Sequence, residues 1–89
     1  MELLKTREFE KDIKRLDKWE RELVREAIGK IQREPGCGKP MEHFRDVFSI
    51  RLNPKRLIYW LKKPESKIVL LIYKNRDEVY EYLKRMDLG

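Results

Sequence analysis

The chain has 89 residues, 43% of them charged, with 22 Lys and Arg against 16 Asp and Glu and a net charge of +6. That length supports one small core without a second domain, and the lone Cys37 excludes an intramolecular disulfide and a thiolate metal site. The longest apolar run, residues 68–73, is far too short to span a bilayer, and the opening residues lack the long apolar stretch of a signal peptide, so a cytoplasmic protein away from membranes is expected.

Leu3-Leu4 opens the chain as a short strand, and Thr6 stands where a hydroxyl can cap the helix that follows. Phe9, Ile13 and Leu16 recur at helical spacing with charges between them, which predicts an amphipathic helix ending near Trp19. Leu23, Val24, Ala27, Ile28 and Ile31 form a second apolar stripe over about 20–33, so the two helices are expected to pair as a hairpin over a common core. Pro35-Gly36 stops the second helix, and Gly38 and Pro40 extend the break into a loop.

From Val47 the period changes to two. Phe48, Ile50 and Leu52 alternate with Ser49 and Arg51, the pattern of a strand with one buried face. Asn53-Pro54 makes a turn, residues 57–61 form an aromatic-containing strand, and Lys62-Lys63-Pro64-Glu65 closes it. Tyr59 and Trp60 fall on opposite faces, one in the core and one partly exposed. Residues 68–73 are continuously apolar and β-branched, as expected of the central strand. Asp77 to Arg85 reads as a closing helix with Val79, Tyr82, Leu83 and Met86 as its apolar positions. The order β-α-α-β-β-β-α predicts an α+β fold: one domain over 1–89, with a strand and helical hairpin packed on a small, mostly antiparallel sheet, the helices on one face, and a short C-terminal helix.

Charge is distributed unevenly along this order. Residues 1–44 carry eleven Lys/Arg and ten Asp/Glu, whereas residues 45–76 carry nine Lys/Arg against Asp46 and Glu65 alone. The positive field therefore belongs to the strands and implies a polyanionic partner. Guanidinium forks and ammonium groups near a phenol suit phosphate chemistry, and Arg51, Lys55, Arg56, Lys74, Arg76 and Tyr80 provide that set. Gly36-Cys37-Gly38-Lys39 lacks the spacing of a phosphate-binding P-loop. His43 is the chain's one histidine; it falls in a loop outside the basic strands and reads as ancillary. Tyr80 has a structural alternative, pinning the last helix to the sheet.

Three stretches taken together resemble a known family: Phe48-Ser-Ile-Arg-Leu52, Arg56-Leu-Ile-Tyr59 and Arg76-Asp-Glu-Val-Tyr80. In this order they are similar to the RelE/ParE toxin superfamily, and to its RelE branch more than its ParE branch. The resemblance implies the toxin of a type II toxin–antitoxin pair, a ribosome-dependent mRNA endonuclease that uses neither metal nor cofactor. In it the ribose 2′-OH attacks the adjacent phosphate in the ribosomal A site. It further implies a small acidic antitoxin as partner, with DNA reached through the antitoxin complex. By the same resemblance Arg56 matches a catalytic arginine, Arg51 and Lys74 match basic positions of the neighbouring strands, and Tyr80 matches a C-terminal tyrosine. Ser49 stands where relatives carry lysine, and Lys55 replaces a tyrosine.

The chemistry asks for a proton acceptor, stabilisation of a charge-rich phosphorane, and a proton for the leaving 5′-oxygen. Arg56 and Arg76 suit the second task and cannot serve as bases. The proton carrier is Tyr80, a lysine tuned toward neutrality by neighbouring cations (Lys55 or Lys74), or a group of the ribosome. Lys55, Lys62 and Lys63 are expected to bind RNA. Two alternatives remain at this stage: a catalytically weak module binding antitoxin or nucleic acid, and a ParE-like gyrase poison.

Overall fold

The computed structural model describes residues 1–52 and 54–86. The elements in chain order are β1 (Glu2–Lys5), α1 (Arg7–Lys14), α2 (Lys18–Arg33), β2 (Lys39–Pro40), β3 (Val47–Arg51), β4 (Arg56–Lys62), a 3₁₀ turn (Lys63–Glu65), β5 (Lys67–Lys74) and α3 (Arg76–Arg85). The five strands form one sheet in the order β1-β5-β4-β3-β2, with β1 parallel to β5 and every other pair antiparallel. The α+β class and the mostly antiparallel sheet expected from the sequence are present. The turn predicted at Asn53-Pro54 includes Asn53, which lies outside the described residues.

Local chemistry sets the helix boundaries. The Thr6 hydroxyl accepts the Phe9 amide at 3.0 Å and donates to the Leu71 carbonyl at 2.6 Å, so one side chain caps α1 and ties it to β5. The first helix ends at Lys14, several residues before the expected Trp19. Asp17 accepts the Glu20 amide at 2.8 Å and starts a new helix there, and Trp19, instead of closing α1, is 71% exposed on the first turn of α2. A further difference is β2, whose two residues lie in the stretch expected to be a loop and pair with Phe48 and Ser49.

The sheet is covered on both faces. Phe9, Leu16, Val24, Ala27 and Ile31 of the hairpin pack against Leu57, Tyr59, Leu61, Ile68, Leu70 and Tyr73. On the opposite face Val79 and Leu83 of α3 pack against Val47, Ile58, Leu71 and Ile72. The helices are thus split between the faces rather than gathered on one, because α3 follows β5 directly and turns its apolar stripe back onto the uncovered side. Tyr59 is fully buried and Trp60 only partly, as the alternation requires.

The middle strand is β4, not the apolar β5, although β5 is paired on both edges. Between them the register skips a residue: Ile58 faces Ile72, Tyr59 faces Leu70, and Leu71 is left over as a bulge. Leu71 and Ile72 therefore both point toward α3, while Ile68, Leu70 and Tyr73 face the hairpin; cover on both faces is why β5 reads as an unbroken apolar run.

Tyr59 organises the loop after α2. Its hydroxyl donates to the Pro35 carbonyl at 2.7 Å and accepts the Gly38 amide at 2.9 Å. Burial pushes the phenol up to about 12, so it stays protonated and keeps donating. Gly38 must lack a side chain here, since a Cβ would stand 2.8 Å from the Tyr59 oxygen and 3.0 Å from the Phe48 Cβ.

Candidate nucleic-acid site

The register aligns the basic strand residues in a row. Arg51 of β3 faces Arg56 of β4, and Arg56 faces Lys74 of β5. Directly opposed residues share a face and sit close together, so two guanidiniums in this relation repel each other. Among the described residues neither Arg51 nor Arg56 forms an ion pair. Such a pair is poised to be relieved by an anion.

The two arginines open into a groove of about 1010 Å³. Its walls are Lys39 and Pro40 of β2, the turn of Met41 to Phe44, Ser49 on β3, and Tyr80 and Lys84 of α3. Tyr80 and Lys84 are four residues apart on one helical face, and Arg76 continues that stripe with its guanidinium 5.9 Å from the Tyr80 ring centre. Val79 and Leu83 pin α3 to the sheet, while Tyr80 is 42% exposed. The pinning role that Tyr80 could have had belongs to its neighbours, and its ring is free to meet a ligand.

Lys74, third in the row, is engaged elsewhere. Its ammonium contacts Asp12 at 2.7 Å and Glu8 at 2.9 Å, both on α1. Burial disfavours the charge, but the hydrogen bonds to Asp12 and Glu8 outweigh it and raise the Lys74 pKa above that of an ordinary lysine. The Lys74 hydrogen bond in turn holds Glu8 below the usual carboxylate range. Tuning of Lys74 toward neutrality, expected from the clustered cations, is reversed by these two carboxylates. The separation of Glu8 and Asp12 from Lys74 in sequence hid this contact.

The remaining lysines do not gather with the arginine pair. Lys55 lies in a separate depression of mixed charge beside Lys74, where it pairs with Glu20 at 3.3 Å and sits 5.4 Å from the Tyr73 ring centre. Tyr73 donates to the same Glu20 at 2.7 Å; burial, and then this carboxylate, push its pKa up. Lys62, the last residue of β4, lies roughly 20 Å along the strand from Arg56, and Lys63 follows it in the 3₁₀ turn. There Lys62 pairs with Glu65 at 3.0 Å and covers the Trp60 ring, and Lys63 pairs with Asp46 at 3.3 Å.

Several polar groove residues, Lys39 and Glu42 among them, lie outside the set expected from the sequence. His43, set aside as a loop residue, and Lys84, read only as part of the last helix, both line the groove. The spacing of Lys84 from Tyr80 was a usable signal; nothing in the sequence placed His43 there. Among the described residues no group of three or more His, Cys, Asp or Glu is arranged to hold a metal ion, and no helix is long and apolar enough to cross a membrane.

The architecture has clear counterparts. Isolated E. coli RelE toxin superimposes with a TM-score of 0.73 at 21% identity, covering 94% of this chain and 96% of that one. A RelBE toxin–antitoxin complex from Mycobacterium tuberculosis gives 0.71 at 28% identity, covering 84% and 96%. The RelB–RelE antitoxin–toxin complex of Methanococcus jannaschii gives 0.71 at 18% identity, covering 89% and 96%. The chain has the RelE-like toxin fold. No protein-family model matches it, nor does any curated protein sequence. On this RelE-like frame, the groove is built by the edge of the sheet away from β1 together with the stripe of α3 that faces away from the core.

Proposed function

We propose that this RelE-like chain is the toxin of a toxin–antitoxin pair and cleaves mRNA on the ribosome through the 2′-OH of the message itself. The observation that carries the reading is the opposed Arg51–Arg56 pair, unneutralised among the described residues, in a groove also lined by Tyr80. The two guanidiniums bind the nonbridging oxygens of the scissile phosphate and stabilise the added charge of the phosphorane. Tyr80 stacks on a base or supplies the proton taken by the departing 5′-oxygen, and Arg76 over its ring adds positive charge beside it. Lys74, held charged by Glu8 and Asp12, acts by fixing the end of β5 and not by accepting a proton. No cofactor enters this scheme. Lys39 and Lys84 extend the positive surface along the groove for backbone phosphates.

The partner follows from the same surface. An acidic antitoxin segment that folds as it docks would cover the cations and exclude RNA. The solved complexes of similar fold are of antitoxin with toxin, which supports this part of the reading.

Ser49 favours a second reading. It lies in the groove wall, 9% exposed and uncharged, at a position where the family resemblance implies lysine. A groove lacking that cation would bind antitoxin or RNA with little cleavage. Digestion of a defined mRNA on programmed ribosomes, wild type against Arg56→Ala and Tyr80→Phe, decides between them. Cleavage that falls by about 100-fold or more in Arg56→Ala supports the nuclease. A folded wild type that leaves the message intact while still binding its antitoxin overturns it in favour of the binding module.

A further inference from the structure

The proposed reaction lacks a proton acceptor among the residues given a role so far. Arginines do not deprotonate in proteins, and Lys74 is held in its charged form by two carboxylates. Lys55, the other lysine considered for that task, opens into a different depression and is paired with Glu20. The groove itself contains one imidazole, that of His43, and histidine is the side chain whose ordinary titration falls near neutral pH.

The placement of His43 is structurally enforced. The turn that carries it is pinned at both ends: the Met41 amide donates to the Val47 carbonyl at 2.8 Å, and the Leu61 amide donates to the Asp46 carbonyl at 2.8 Å. Met41 and Phe44 tuck against the core beneath α3, and His43 between them is exposed. Its backbone lies in the left-handed region at φ 69°, as does that of Asp46 at φ 59°. Histidine tolerates that region better than most residues, and non-glycine residues held there concentrate at functional sites. The groups that share the groove with it are Lys39 from β2, Glu42 from its own turn, Arg51 from β3, Arg56 from β4, and Tyr80 and Lys84 from α3.

We infer that His43 is the general base of the RNA cleavage proposed above, an inference that rests on that reading. The neutral imidazole takes the proton of the ribose 2′-OH, the 2′-oxygen bonds to phosphorus, and the bond from phosphorus to the 5′-oxygen breaks. The 5′-oxygen takes a proton from the Tyr80 hydroxyl, and the proton on His43 returns to the phenolate through solvent. The products are a 2′,3′-cyclic phosphate and a 5′-hydroxyl, with no oxidant, metal or further reactant consumed. Because the base must be neutral, protonation of His43 in acid would stop the reaction.

The test is single-turnover cleavage on programmed ribosomes at several pH values, using wild type, His43→Asn and Arg56→Ala. Asparagine cannot titrate but tolerates a left-handed backbone, so the turn is retained, which a thermal melt checks. His43→Asn is expected to cleave at least about 100-fold more slowly, and any loss of rate in acid shown by the wild type is expected to disappear from what remains. Added imidazole is expected to restore part of the rate in His43→Ala. If His43→Asn cleaves within about threefold of wild type, or keeps the same loss of rate in acid, His43 is not the base. Should that happen while Arg56→Ala is inactive, the nuclease reading stands without this residue. A wild type that does not cleave ends both.

Discussion

Replacing Lys74 by methionine separates a structural role for this residue from a catalytic one. Lys74 and Asp12 are only 17% and 10% exposed, so their 2.7 Å contact is a charge-assisted hydrogen bond largely shielded from water, worth about 1.5–3 kcal/mol. Glu8 is 42% exposed, so solvent screening limits its contact to roughly 0–1 kcal/mol. Two effects soften the loss: methionine needs no desolvation of an ammonium, and Asp12 keeps the Tyr73 amide at 3.0 Å. The net expectation is about 2 kcal/mol, or a drop in Tm of roughly 8–16 °C for a domain of this size. The pH dependence has a definite sign. Glu8 has a lowered pKa when folded, so its contribution is present above the ordinary carboxylate range and is lost as pH falls through the lowered value. Lys74 has a raised pKa, so its contribution is complete below the ordinary lysine range and is lost as pH rises through the raised value. Urea unfolding of both proteins should therefore show the widest gap across neutral pH, narrowing toward either extreme. A gap below about 0.5 kcal/mol at pH 7, within the range of an ordinary surface substitution, would refute the clamp. So would a gap of the same size in strong acid.

Gly38→Ala should cost about 1–3 kcal/mol by forcing a methyl against the Tyr59 oxygen at 2.8 Å, measured by the same unfolding assay. Tyr59→Phe leaves the buried Gly38 amide without its acceptor and should lose about 1–3 kcal/mol, with faster hydrogen exchange at that amide as the local signature. Asp17→Ala removes the cap of α2 and should cost about 1 kcal/mol without altering the proposed RNA cleavage, which thermal melts and the ribosome assay check together. Lys62→Ala and Lys63→Ala, at the far end of β4 and already paired with Glu65 and Asp46, should change RNA affinity less than Arg51→Ala at matched salt, read by filter binding.

Local signals in the sequence revealed most of the architecture. The Thr6 cap, the shift from helical to alternating spacing at Val47 and the apolar stripe of the last helix are each decided by neighbouring residues. What stayed hidden depended on residues distant in sequence. The break between the first two helices is the exception: it is a local cap, Asp17 accepting the Glu20 amide, masked by apolar residues that recur on both sides of it. β5 is an interior strand buried on both faces, as its apolar run implies, but the two-residue β2, which the sequence does not announce, extends the sheet beyond β3 and shifts the middle to β4. At the candidate site, pairing of β3 with β4 brought Arg51 and Arg56 together, and the spacing of α3 placed Tyr80 beside them. Charge counting could not tell those arginines from Lys55, Lys62, Lys63 and Lys74, because the carboxylates that pair with lysines come mostly from other elements.

The bulge at Leu71 also makes β5 tolerant of a change in length. An ordinary strand that gains a residue turns every later side chain to the opposite face. Here Leu71 is absorbed as two neighbours on one side, so Tyr73 still points to the hairpin and Lys74 still lies opposite Arg56, as they would in a strand one residue shorter. The cost of losing the extra residue falls instead on Thr6, whose hydroxyl uses the Leu71 carbonyl to tether the first helix. The arginine row thus stays in phase with or without the extra residue, and that residue lies on β5, outside the groove that Arg51 and Arg56 line.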